Sequence, residues 1–343
     1  MASLNVIGNG FDLYHGLPTS YYFFACYLLA NYEEIYDQLA SMYGISKGLY
    51  SCISEELTRG IDDKKFWSEF EESLGTIDSS WVENSLLDNL DLEVPDPAVT
   101  LEINQPNIVE DIKDILFKWI RDTVDKDEIY EIVKKHLNSI YIQFDDADDF
   151  ISFNYTHTLE NVYGIDEVYH VHGECCNDNE ELIIGHGNDK EILRLQNEIS
   201  ALDSDAQFYQ AANNRTQEYR FEKDILESLR KPVHECKKFL LRYLEYCREP
   251  DLISVYGCSL GEVDLPYLRL IHEKWPDVKW RFSYYSDDDI KRINATINQL
   301  GLKTEAPPIF KLKNPISSDI ERSIIVKERI ITYPTIDELL NMK

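Results

Sequence analysis

The chain has 343 residues, 43% hydrophobic and 12% aromatic, enough to bury a sizeable core in one large domain or two and too apolar for a disordered polypeptide. A formal charge of −29 argues against nucleic-acid partners, which are held by clustered Lys and Arg, and acidic blocks such as Asp145, Asp146, Asp148 and Asp149 would repel phosphates. No run of about 18 apolar residues marks a membrane span, the first residues do not read as a signal peptide, and seven irregularly spaced cysteines without a C-x-x-C pair fit reduced thiols, so a cytoplasmic protein without structural zinc or membrane contact is expected.

In chain order, Leu4, Val6 and Ile7 predict a first strand, at about residues 3–8, running into Gly8-Asn9-Gly10. A long helical stretch, SYYFFACYLLANYEEIYDQL, follows, with apolar residues at 23, 24, 27, 28 and 35. DKKFWSEFEESLGTI predicts another helix, with Phe66, Trp67, Phe70 and Leu74 on one face and Gly75 as its stop. Residues 88–107 contain three prolines and predict a loop, and a helix over about 108–139 repeats Ile112, Ile115, Leu116 and Trp119. DFISFNYTHTLENVYG reads as an apolar strand ending at Asn154 and then a helix. DEVYHVHGE alternates Val168, His170 and His172 against Tyr169 and Val171, the period of a strand. ELIIGHGND reads as a third strand-to-glycine junction, and residues 190–248 as a polar helical insertion. DLISVYGCSLGEVDLPYLRLIHEKW then gives a buried strand, a turn and a helix, and VKWRFSYYSDDDIKRINATINQLG repeats that plan.

Strands alternating with helices predict an α/β fold, a mainly parallel Rossmann-like sheet with helices on both faces. It is read as one domain over 1–343 with helical elaborations at about 19–140 and 190–248. Ligands of such sheets bind at the carboxyl ends of the strands, where Gly8, Asn154, His172 and Gly257 all fall. Gly8 and Gly10 let backbone approach a ligand closely, and a following helix start favours an anion such as a pyrophosphate. The stretch is neither G-x-G-x-x-G, since Leu13 holds the last position, nor a Walker A loop, and a plain tight turn is its rival reading.

The ordered segments IGNGFDLYHGLPTSY, FWSEFEESL, FNYTHTLE, YHVHG, IIGHGN and YGCSLGEVD resemble the AbiH family of phage abortive-infection proteins over most of the chain. AbiH-type sequences in turn look like distant relatives of sirtuin-like NAD-binding domains. Gly8, Gly10 and Gly16-Leu17-Pro18 keep the spacing of the sirtuin G-A-G turn and G-I-P; Asn154, Tyr155, Leu159 and Glu160 resemble the N-Y-D-x-L-x-E-like segment of sirtuin-like defence proteins; His172-Gly173 resembles their His-Gly. Gly257, Ser259, Leu260 and Asp264 match a G-x-S-L-x-x-x-D segment that contacts the adenosine side in that group. Departures are Thr19, Ser20 and Tyr21 where the sirtuin Arg would follow, Thr156 in place of the Asp, and no zinc-binding cysteine module.

The resemblance implies a sirtuin-like anti-phage effector that binds NAD or a related nucleotide and hydrolyses the nicotinamide–ribose bond, with no metal. It implies Gly8, Asn9, Gly10, Phe11, Asp12, Gly16, Pro18, Tyr155, Gly257, Ser259, Leu260 and Asp264 as nucleotide contacts, and Asn154 and His172 as catalytic residues. Asn154 would position water or a ribose hydroxyl, and His172 would be the general base. Asp12 would orient ribose or carboxamide, or close an Asx contact in its own turn.

His170 reads as packed or functional, His186 as a second site residue or a loop residue, His15 as touching ligand or facing solvent, and His157 as lying near a helix start. His136, His234 and His272 read as helical residues without a role. Two rival functions stay open: a metal-dependent phosphoesterase or nuclease using Asp12, Asn154, His170, His172 and His186, and a non-catalytic nucleotide sensor that signals to a partner. A homo-oligomer or a partner defence protein is likewise open.

Overall fold

A computed structural model describes residues 2–45, 66–67, 69–90, 108–136, 142–175, 182–205 and 210–311. The chain divides into two compact units, one of residues 1–24, 116–183 and 232–343, the other of residues 25–115 and 184–231.

The first unit is built on a six-stranded sheet of β1 (Ser3–Ile7), β2 (Asp149–Ser152), β3 (Tyr169–His170), β4 (Leu252–Tyr256), β5 (Lys279–Tyr284) and β6 (Thr304–Lys311). The strands are parallel throughout and run in the order β3-β2-β1-β4-β5-β6. That order belongs to the doubly wound, Rossmann-like α/β architecture, whose topological switch lies between the first and fourth strands. Alternate side chains feed two cores. Leu4, Val6, Ile151, Ile253 and Val255 pack with Leu240, Leu244, Tyr267 and Leu268, whereas Ile7, Phe150 and Tyr256 pack with Phe11, Tyr14 and Leu159. Burial on both sides explains why β1, β2 and β4 read as continuous apolar runs.

The helices of this unit that frame the strand ends are α1 (Asn9–Tyr14), α2 (Asp127–His136), α3 (Thr158–Tyr163), α4 (Val233–Tyr246), α5 (Leu265–Lys274) and α6 (Asp287–Leu300). Gly164, at φ +69°, ends α3 in the left-handed region. Ser286 starts α6 with a capping box: its Oγ accepts the Asp289 amide at 3.2 Å, and the Asp289 carboxylate accepts the Ser286 amide at 2.9 Å. Helix α4 buries Cys236, Leu240 and Leu244 in the first sheet core.

The second unit is helical among the described residues. Helices Asp189–Asp205 and Gln210–Ser228 pack together, with helix Ser79–Leu90 against the latter. Trp67 stacks between Tyr36 and Phe70 in an aromatic core.

Several sequence expectations are corrected. The first long helix is two, Tyr21–Asn31 and Glu33–Met42, broken at Tyr32, where Asn31 turns its amide back onto the Tyr27 carbonyl at 2.9 Å. Residues 88–90, expected in a loop, close the helix Ser79–Leu90; residues 91–107 lie outside the described residues. The helix expected over 108–139 is Ile108–Trp119, a π-helical turn Ile120–Val124, and α2. The DEVYHVHGE strand is only Tyr169–His170, because the Val171 amide makes a last bond to Ser152 and Gly173, at φ +84°, turns the chain away. IIGHGN forms no strand of the sheet. Gly185 lies so close to the end of helix Gln210–Ser228 that a Cβ would stand 2.2 Å from the Leu229 carbonyl, and the neighbouring His186 makes an isolated bridge to Arg230. Strand β6, with Pro307 and Pro308, was not expected; it lies at the sheet edge, where proline is tolerated.

Candidate functional site

The carboxyl ends of β1 and β4 meet backbone to backbone. The Gly8 amide donates to the Tyr256 carbonyl and the Gly10 amide to the Gly257 carbonyl, both at 2.8 Å, and the Phe11 amide bonds the Gly8 carbonyl at 2.8 Å. A Cβ on Gly257, at φ +63°, would stand 2.3 Å from the Phe11 nitrogen; one on Gly8 would stand 2.6 Å from the Cys258 Cα. Glycine is therefore required for two turns to pass in contact at the topological switch. The three amides named are spent inside the protein. Burial pushes the neighbouring Cys258 thiol well above its usual pKa, which keeps it protonated and inert.

The loop after β2 closes onto this crossing. Asn154 donates its side-chain amide to the Gly8 carbonyl at 3.2 Å. Asp12, 1% exposed, accepts the hydroxyls of Thr156 at 2.5 Å and Thr158 at 2.7 Å. Thr156, standing where the related motif has an acid, is thus a donor to a buried acid. Asp12 therefore does not spend its carboxylate on the expected Asx contact in its own turn. Burial raises its pKa to about 6, against the lowering effect of Thr156 and Thr158.

Beyond Gly257, Ser259 donates to the Asp264 carboxylate at 2.7 Å, on the exposed rim before α5. Leu260, at φ +57°, turns into the first sheet core. Phe11 packs into the second core, Gly16 closes α1 with its amide on the Leu13 carbonyl at 3.1 Å, and Pro18 is buried. Tyr155 donates its hydroxyl to the Ile183 carbonyl at 2.9 Å, and Asn9 donates to the Thr19 carbonyl at 3.0 Å.

The histidines separate sharply. His172, 2% exposed, lies between the rings of Phe153 and Tyr267 on the first core's side. It does not share a strand face with His170, because the strand has ended. His15 is fully buried, not solvent-facing, with Nδ1 on the Phe11 carbonyl and Nε2 on the Tyr163 hydroxyl, both at 2.7 Å. Burial lowers its pKa to about 4, so it stays neutral. His186, in the second unit, donates Nε2–H to the Leu226 carbonyl at 2.8 Å and accepts the Asn188 amide at Nδ1 at 3.0 Å. That pattern permits only the neutral Nε2–H tautomer, and burial lowers its pKa accordingly. It is a loop residue held by backbone.

His157 and His170 are built differently. Nδ1 of His157 donates to Asp125 at 2.5 Å, and Asp125 also accepts the His157 amide at 2.9 Å and the Tyr130 hydroxyl. Nε2 of His157 faces Glu174 Oε2 at 3.2 Å. Nδ1 of His170 donates to the Asn154 carbonyl at 2.8 Å, and its Nε2 faces Glu160 at 2.9 Å and Glu174 at 3.7 Å. Burial alone would lower both imidazolium pKa values. The Asp125 bond and charge, with Glu160 and Glu174, instead raise His157 to about 9, and Glu160, the Asn154 carbonyl and Glu174 raise His170. Ligand atoms of Glu160, His170 and Glu174 lie within 4.8 Å of one another, close enough to hold a metal ion.

The structure therefore brings Gly8, Gly10, Asp12, Asn154 and Gly257 together, places Ser259 and Asp264 beyond them on the rim, and leaves His172, Phe11 and Leu260 in the cores. The cluster of Asp125, His157, His170 and Glu174 was missed as a unit. Its local signals were His157-x-x-Glu160 and His170-x-x-x-Glu174, spacings that put a base and an acid one turn or one bend apart.

No helix among the described residues is long and apolar enough to cross a membrane. A family model described as bacteriophage abortive infection AbiH matches residues 4–284. No curated protein matches the chain.

Proposed function

The chain belongs to the AbiH family of bacteriophage abortive-infection proteins, and from that premise we propose that it acts by binding a nucleotide, NAD foremost, at the carboxyl end of the sheet and cleaving its nicotinamide–ribose bond. The observation that carries this reading is the glycine crossing at the β1–β4 switch of a 3-2-1-4-5-6 sheet, the position at which such sheets bind dinucleotides. Ser259 and Asp264, on the rim beside it, form a hydrogen-bonded pair of the kind that takes up ribose hydroxyls. The pyrophosphate is not cradled by the amides of Gly8, Gly10 and Phe11, which have internal partners, so the side chains of the rim carry recognition.

Cleavage passes through an oxocarbenium-like ribose as nicotinamide departs, and needs a positioned water on the open face. Asn154 joins the β2 loop to the Gly8 carbonyl and shapes that face; His172 is the candidate base that the family resemblance implies.

The test is incubation of the purified chain with NAD, following nicotinamide and ADP-ribose, alongside NAD content in phage-challenged cells. Release of nicotinamide that is lost in His172→Gln and Asn154→Ala, each with wild-type circular dichroism, is the expected result. NAD that stays intact both in vitro and through infection overturns the hydrolase reading. Binding without turnover would leave a nucleotide sensor.

A further inference from the structure

His157 and His170 share a feature that His15 and His186 lack. Each places its Nδ1–H on a fixed acceptor, Asp125 for one and the Asn154 carbonyl for the other, and turns Nε2 toward carboxylates. Metal-binding imidazoles take this arrangement, one nitrogen oriented by a carboxylate or carbonyl and the other offered to the ion. Asp125 is itself held by Tyr130 and by the His157 amide, so the orientation is braced on a second level. The second Glu160 oxygen, Oε2, is buried and accepts no hydrogen bond among the described residues.

We propose that Glu160, His170 and Glu174 bind a divalent transition-metal ion, with His157 holding Glu174 from outside that set. The spacing suits it. Donors around a tetrahedral ion bound at about 2.0–2.2 Å stand roughly 3.3–3.6 Å apart. The distances from His170 Nε2 to the two carboxylates, 2.9 and 3.7 Å, bracket that range. One imidazole nitrogen with two carboxylates favours Zn²⁺ or Mn²⁺ over Mg²⁺ or Ca²⁺, which prefer all-oxygen shells. The site departs from the metal-free expectation raised by the sequence, and it stands whether or not NAD is the ligand at the glycine crossing.

The experiment uses the full chain, stripped with a chelator, dialysed against Zn²⁺ or Mn²⁺ and assayed for bound metal, with Co²⁺ as the spectroscopic probe. One ion per chain is expected, with a cobalt spectrum free of thiolate charge-transfer bands. Glu160→Gln and Glu174→Gln should each weaken retention at least tenfold, and Asp125→Asn by about 10- to 100-fold, because Asp125 orients the His157 that holds Glu174. Circular dichroism establishes that each variant is folded. Should Asp125→Asn not fold, the wild-type cobalt spectrum and its loss in Glu174→Gln still decide, since the Glu174 side chain is 35% exposed and tolerant of replacement. Absence of stoichiometric binding by the folded wild type, thiolate bands on cobalt, or unchanged affinity in the two Glu→Gln variants overturns the site.

Discussion

The glycine crossing and the histidine–carboxylate cluster lie in the same unit and are made of opposite materials. At the crossing, backbone meets backbone: Gly8, Gly10 and Gly257 bring two turns together, and the interior bonds between them consume the amides that a phosphate would have used. In the cluster, the partly exposed acids Glu160 and Glu174 surround two imidazoles whose protons are directed by Asp125 and Asn154. A dense motif thus marks where the fold is tightest. The charged chemistry sits a few residues further on, where the sequence looks ordinary.

The sharpest way to break this comparison is at Gly257. Gly257→Ala combines a left-handed φ with a Cβ 2.3 Å from backbone, so a loss of more than about 4 kcal/mol, or no folded protein, is expected in urea denaturation. Gly164→Ala is the matched contrast: φ is +69° but nothing lies within 4 Å, so only the left-handed penalty of about 1 kcal/mol remains. Equal losses in the two would show that contact across the crossing is unimportant.

Asp12 joins the two regions and gives the next largest effect. Its pKa rises from 3.8 to about 6 on folding, so the folded state binds the proton more tightly. Its contribution is therefore fully favourable below about pH 3.8 and is lost as pH rises toward 6. At about 1.4 kcal/mol per tenfold change, wild type should lose about 3 kcal/mol relative to Asp12→Asn across that window. Stability curves of the two proteins that run parallel from pH 4 to 7 would contradict the burial of a titrating carboxyl.

Smaller again is His186, the second unit's backbone-held histidine. His186→Leu leaves the Leu226 carbonyl and Asn188 amide without their partner and should reduce stability by about 2 kcal/mol. Because that imidazole is neutral, the loss should be flat above pH 6.5, and metal retention should not change. A pH-dependent loss there would mean that His186 carries charge and belongs with the other pair in kind.

Strands β1, β2 and β4 were legible because burial on both faces makes them largely apolar runs, and β5 because Trp280 and Phe282 alternate with Lys279 and Arg281; each is followed by a turn and a helix. The gathering of Gly8, Asn154 and Gly257 at the strand ends follows from that alternation alone. Histidine parity was not legible. Period two puts His170 and His172 on one face only while the strand lasts, and β3 ends at His170. His157 does stand at a helix start, capping α3, but its partner Asp125 was not legible, being 32 residues away at the end of a π-helical turn that no local pattern announces. The IIGHGN segment imitates a strand end, yet its glycine answers to the Leu229 carbonyl in the helical unit.

The central claim, that a nucleotide binds over the crossing at the carboxyl end of the sheet, is tested most directly by hydrogen exchange on the purified chain with and without NAD. Binding there predicts slowed exchange in residues 154–163 and 257–264, with the second unit's helices 189–205 and 210–228 unchanged. Unaltered exchange in both segments at saturating NAD, or protection confined to the second unit, would contradict it.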